Sequence, residues 1–87
     1  MKLKSGLYMN EVGNEYIVLA NDRNIFKGMI RLNISGAFLF DKLKDGIEYD
    51  ELINALTEKY EVEESVAKSD LDRFIKTFED CGLIEDE

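Results

Sequence analysis

Short runs of alternating and β-branched residues fill the first third of this chain. From Asn33 onward the apolar positions move to helical spacing. Leu7-Tyr8-Met9-Asn10-Glu11-Val12 predicts a first strand. Gly13-Asn14 has the turn chemistry of a tight hairpin, because Gly accepts a positive φ. Tyr16-Ile17-Val18-Leu19-Ala20 is aromatic and β-branched and predicts a well-buried second strand. Asn21-Asp22-Arg23-Asn24 is a polar turn. Ile25-Phe26 and Gly28 then lead to a third strand at Met29-Ile30-Arg31-Leu32.

Asn33 is placed to cap a first helix, since its short side chain accepts a first-turn N–H. Gly36, Leu39, Phe40 and Leu43 share one face of that helix, and Asp45-Gly46 ends it. A second helix opens at Tyr49-Asp50-Glu51, where acidic residues suit the positive dipole end, and runs to Tyr60. Leu52, Ile53, Leu56 and Tyr60 form its apolar face. A third helix runs from about Ser65 to Cys81. Gly82 stops it and returns Leu83-Ile84 to the core. Three strands followed by three helices predict an α+β domain, and the short break before the third helix fits a winged helix-turn-helix with the strands as a three-stranded antiparallel sheet.

The third helix has a wide apolar face. With Val66 at zero and about 100° per residue, Cys81, Phe74, Ala67, Phe78, Leu71 and Ile75 follow in turn up to about 180°, so the apolar arc spans roughly 180°. Facing one core takes an arc of only about 100°. One edge of this arc is therefore a candidate to line a groove.

Length and charge narrow the function. The 87 residues suffice for a single domain spanning 1–87, with frayed ends expected at about 1–5 and 85–87. No apolar run is long enough to span a membrane, and no apolar region follows Lys2 and Lys4 as a secretion signal would require. A lone Cys81 has no disulfide partner in the chain, which fits a reducing cytoplasm. The net charge is −8 and uneven: residues 1–44 carry seven basic and four acidic side chains, residues 45–87 four basic and fifteen acidic. Between Glu63 and Asp80 three basic residues (Lys68, Arg73, Lys76) meet six acidic ones, a balance that opposes binding to a phosphate backbone. The chain contains no His, so its serines and Cys81 lack the usual base, and no carboxylate group has calcium-loop spacing. Catalysis by this chain, a cofactor and a metal are not expected.

The run Leu32-Asn33-Ile34-Ser35-Gly36-Ala37, the helix end Leu43 with Asp45-Gly46, and Asp70-Leu71, Phe74-Ile75, Phe78 and Gly82-Leu83-Ile84 resemble the PqqD-like family. That family is also described as the RiPP recognition element, the leader-peptide-binding domain of ribosomal peptide maturation. The resemblance runs from about Gly6 to Ile84. It departs at Phe40, where Trp is common, and at Tyr49, where a Thr or Ser cap is common.

The resemblance implies a winged helix-turn-helix that binds peptide, not nucleic acid. The leader segment of a precursor peptide would lie beside the third strand as an added strand, in the cleft between that strand and the third helix. The domain would then present it to a modifying enzyme, often of the radical S-adenosylmethionine type. On this reading Met29, Ile30, Arg31 and Leu32 supply the pairing edge, and Leu71, Phe74 and Phe78 receive apolar side chains. Arg31 would meet a leader carboxylate and Asp70 a leader Lys or Arg. Two other readings remain: a winged-helix nucleic-acid binder, and an assembly subunit of a protein complex. An open third strand would also allow pairing with a second copy as a homodimer.

Overall fold

The structure, a computed structural model, describes residues 1–85. Its elements are β1 (Lys2–Leu3), β2 (Leu7–Val12), β3 (Glu15–Ala20), β4 (Ile30–Leu32), α1 (Ile34–Leu43), α2 (Tyr49–Tyr60), α3 (Glu64–Asp80) and β5 (Ile84–Glu85). The three predicted strands are β2, β3 and β4, and they form an antiparallel sheet in the order β2-β3-β4. Gly13 takes φ 63° and closes the β2–β3 hairpin with Val12 opposite Glu15. β4 pairs with β3 through Tyr16–Leu32, Ile17–Arg31 and Val18–Ile30. Alternation turns Val18 and Ile30 into the core and leaves Tyr8, Val12 and Arg31 on the outer face. This is the expected α+β arrangement, a three-stranded sheet followed by three helices as in a winged helix-turn-helix.

Local chemistry sets the helix ends. The Asn33 Oδ1 accepts the Gly36 N–H at 2.8 Å and the Ser35 hydroxyl at 3.0 Å, which fixes the start of α1. Gly46, at φ 89°, turns the chain after that helix. α2 starts at Tyr49 without a side-chain cap. The Tyr49 hydroxyl instead donates to Asp72 of α3 at 2.6 Å and ties the two helices together. α2 ends at Glu61, the one non-glycine described residue with positive φ, at 52°. At the end of α3 the Leu83 N–H reaches the Phe78 carbonyl and the Gly82 N–H reaches that of Glu79, both at 2.9 Å. That is a Schellman closure, with Gly82 at φ 71°.

This closure corrects the expectation of frayed ends. Leu83 is fully buried, and the chain after it runs back along the N-terminus. Lys2 pairs with Glu85 and Leu3 with Ile84, the Lys4 N–H donates to the Leu83 carbonyl, and the Ile47 N–H donates to that of Met1. Leu3 is a core residue, only 2% exposed. Residues 1–4 and 85 are thus held in place, while Asp86 and Glu87, also expected to fray, lie outside the described residues.

The core also changes the picture of α3. Ala67, Leu71 and Phe78 are consumed by packing against Leu39, Phe40, Leu43, Leu52 and Leu56. Most of the wide apolar arc is therefore interior. The part of it at Phe74 borders a groove.

Candidate functional site

β4 has β3 on one side only; among the described residues nothing pairs with its other side. The hairpin register says which backbone groups face that open side. Val12 and Glu15 close a two-residue loop, and residues closing such a loop exchange both backbone hydrogen bonds. Alternation along β3 then directs Ile17 and Leu19 toward β2, and Tyr16 and Val18 toward β4. Arg31 lies opposite Ile17, so its N–H and C=O point outward. One short strand thus offers a donor and an acceptor to an incoming backbone.

Beside this edge lies a cleft of about 210 Å³ between β4, the first turn of α1 and α3. Its strand side is Arg31, Leu32 and Asn33, its base includes Gly36, Leu39 and Phe78, and its helix side is Asp70, Arg73, Phe74 and Thr77. α1 packs closely on β4 at Gly36, where a Cβ would lie 3.1 Å from the Leu32 Cβ and 3.2 Å from the Asn33 Oδ1, so a larger residue would make these neighbours give by a few tenths of an ångström. Phe74 and Phe78 stack with ring centroids 4.5 Å apart, which makes the base of the cleft rigid and apolar.

The residues expected to act together are brought together in part. Arg31, Leu32, Asp70, Phe74 and Phe78 all line the cleft. Ile30 and Leu71 do not; both are buried behind it, in the core. Met29 is exposed, one residue before β4. The Arg31 side chain lies on the outer sheet face with its Nε 3.9 Å from Glu15, so its backbone, more than its charge, belongs to the cleft edge. Arg73, Thr77, Gly36 and Leu39 were not foreseen as lining residues. Gly36 and Leu39 carried a readable signal in their helical spacing. Arg73 and Thr77 carried none.

Among the described residues no group of three or more His, Cys, Asp or Glu side chains is placed to hold a metal ion, and no helix is long and apolar enough to cross a membrane.

The family model for coenzyme PQQ synthesis protein D (PqqD) matches residues 9–84. No curated protein sequence matches the chain. Among solved structures, the fold is similar to that of TbiB1 in complex with the TbiA(beta) leader peptide, with a TM-score of 0.77 at 20% identity. The match covers 100% of this chain and 98% of that one.

Proposed function

This chain belongs to the coenzyme PQQ synthesis protein D (PqqD) family, and from that premise we propose that it is a non-catalytic module that captures the leader segment of a ribosomally made precursor peptide and presents it to a modifying enzyme. The open edge of β4 beside an apolar cleft carries this reading. The guest adds a strand to β4 through the outward N–H and C=O of Arg31. Its alternate side chains then face Phe74, Leu39 and Phe78. Main-chain bonds supply affinity that tolerates many sequences, and the cleft supplies selection. The fold is similar to that of TbiB1, whose structure is in complex with a leader peptide, and this supports a peptide as the ligand.

Three finer statements belong to the proposal. The partner is a modifying enzyme of the radical S-adenosylmethionine type, as the family resemblance implies. The module works in the cytoplasm, a reading supported by a single free cysteine, Cys81. Two copies can pair weakly through β4 when no peptide is bound. Nucleic acid is not the ligand, because α3, the helix that would enter a groove in a DNA-binding relative of this fold, is predominantly acidic.

The test is a titration of ¹⁵N-labelled protein with the short precursor peptide encoded beside its gene. Amide shifts are expected at residues 29–33 and along 70–78. Shifts confined to the Gly13 turn would overturn the proposal. Arg31→Pro separates pairing from folding. The N–H it removes points away from β3, and proline is tolerated on such an edge, so stability should move by no more than about 1 kcal/mol while binding is lost.

A further inference from the structure

A strand added to β4 makes contacts on two faces, and only one of them is the cleft. Successive residues of a strand point to opposite faces of a sheet, and residues level with each other on neighbouring strands share a face. Leu32 lines the cleft on the inner face, whereas the Arg31 side chain stands on the outer face near Glu15. The strand side of the cleft runs through Leu32 to Asn33 and does not reach Ile30. A guest residue level with Leu32 therefore turns into the cleft. Its neighbour in the guest, level with Arg31, turns outward. This holds for a guest running either way along β4, because parallel and antiparallel strands alternate alike.

The outward position meets a charge. Across the sheet the row through Arg31 reads Asn10, Ile17, Arg31 and then the guest. Ile17, directly opposite on β3, has no carboxylate to offer. The ion-pair partner of Arg31 among the described residues is Glu15, two residues before Ile17, at 3.9 Å with both side chains more than half exposed. That contact is long and solvated, and a guanidinium carries five N–H donors, so it has donors left for a second carboxylate. Side chains directly opposite each other start about 5 Å apart, within reach of a Glu or Asp. A Lys or Arg there would set like charges face to face, which destabilises a strand pair. The preference is local, since the net charge of −8 repels an acidic peptide taken as a whole.

We propose that the module takes peptides in which an acidic residue, paired with the Arg31 side chain on the outer face of the sheet, directly adjoins the apolar residue that fills the cleft. This rests on the peptide-binding reading and names the sequence class it selects: bulk is read on the inner face and charge on the outer.

The test is selection of a displayed random peptide library against the wild-type protein, R31E and R31P. The wild type should enrich Leu, Ile, Phe or Met with Asp or Glu as the very next residue on one fixed side, and deplete Lys and Arg there. An apolar residue just before the acid marks a guest antiparallel to β4, and one just after it a parallel guest; both support the proposal. R31E keeps the backbone N–H and C=O of the edge, so it should still enrich peptides but prefer Lys or Arg at the outward position. Arg31 is exposed, and circular dichroism of R31E should match the wild type. In a selected peptide, Glu→Gln should weaken binding to the wild type about threefold and leave binding to R31Q unchanged. Enriched peptides that are lost on R31P but show no acid at a fixed position, or show it two residues from the apolar one and so on the cleft face, would overturn this inference alone. Failure to enrich any peptide, or enrichment indifferent to R31P, would overturn the peptide-binding reading itself.

Discussion

Tyr60 carries a buried phenolic oxygen with no hydrogen-bond partner. Its ring packs edge-on against Phe38 at 5.8 Å, with Lys59 5.9 Å from the ring centre. A hydroxyl shut away from water without a partner costs stability, whereas the ring contacts stabilise. Tyr60→Phe keeps the ring and removes the orphan oxygen. It should raise stability by about 1 kcal/mol, seen as a higher urea midpoint at unchanged slope. Desolvation, with a smaller effect from Tyr16, also raises the Tyr60 pKa. Tyr49 is raised as well, first by its hydrogen bond to Asp72, then by desolvation and by the charges of Asp72 and Asp50. A raised phenol pKa means that the folded state holds the proton more tightly. This contribution is fully present below about pH 10 and is lost as pH climbs through the folded value. Unfolding free energy should thus fall on the alkaline side, and Tyr49→Phe with Tyr60→Phe should flatten that fall. Both tyrosines show what residue types alone conceal: their helical spacing was readable, but their partners depend on how three helices meet. The same holds in the cleft. A groove was expected along one unspecified edge of the apolar arc of α3, and the cleft lies on the side of Asp70 and Phe74. Arg73 and Thr77 are polar residues at the Val66 end of that arc, at about 340° and about 20° on the wheel. An exposed polar residue on a helix looks alike whether it faces solvent or a guest.

At the scale of elements, the helices and the main sheet were legible because their signals are local. Asn33, Gly46 and Gly82 end or begin helices through their own backbone and side-chain chemistry, and Gly13 does the same for the hairpin. β1 and β5 were not legible. Two-residue strands are too short to show a period, and each finds its partner at the opposite end of the chain, Lys2 opposite Glu85 and Leu3 opposite Ile84. Their importance follows from Leu3, which fills the core beneath the returning Leu83. Leu3→Ala should cost about 2–5 kcal/mol, a large share of the roughly 5–15 kcal/mol that stabilises a typical domain. Urea unfolding measures the loss. Amide exchange locates it: the Ile47 and Lys4 N–H groups, which bond to the Met1 and Leu83 carbonyls, should lose protection in the variant. If the first residues were loose in solution, Leu3→Ala would change stability by less than about 0.5 kcal/mol.

Taken whole, the molecule pairs a sticky edge with a repulsive body. β4 is open, and its neighbours Met29 and Ile34 are exposed apolar residues, conditions under which strands of two copies join. Against this stand the shortness of β4 and a net charge of −8 on every copy. Repulsion between like-charged domains reaches about 30 Å at 0.01 M salt and only about 8 Å at physiological salt. Self-association should therefore be absent at low ionic strength and grow with added salt at high protein concentration. Sedimentation velocity across a salt series measures it. Because the same edge is the one proposed to take the guest peptide, bound peptide and Arg31→Pro should each return the protein to monomers. A dimer that persists in Arg31→Pro would have to use another face, and the outer sheet surface with exposed Tyr8 and Val12 is where its contacts would then lie. In that event β4 would stay available in the dimer, and peptide binding would proceed without dissociation, so titrating peptide into the dimer separates the two arrangements.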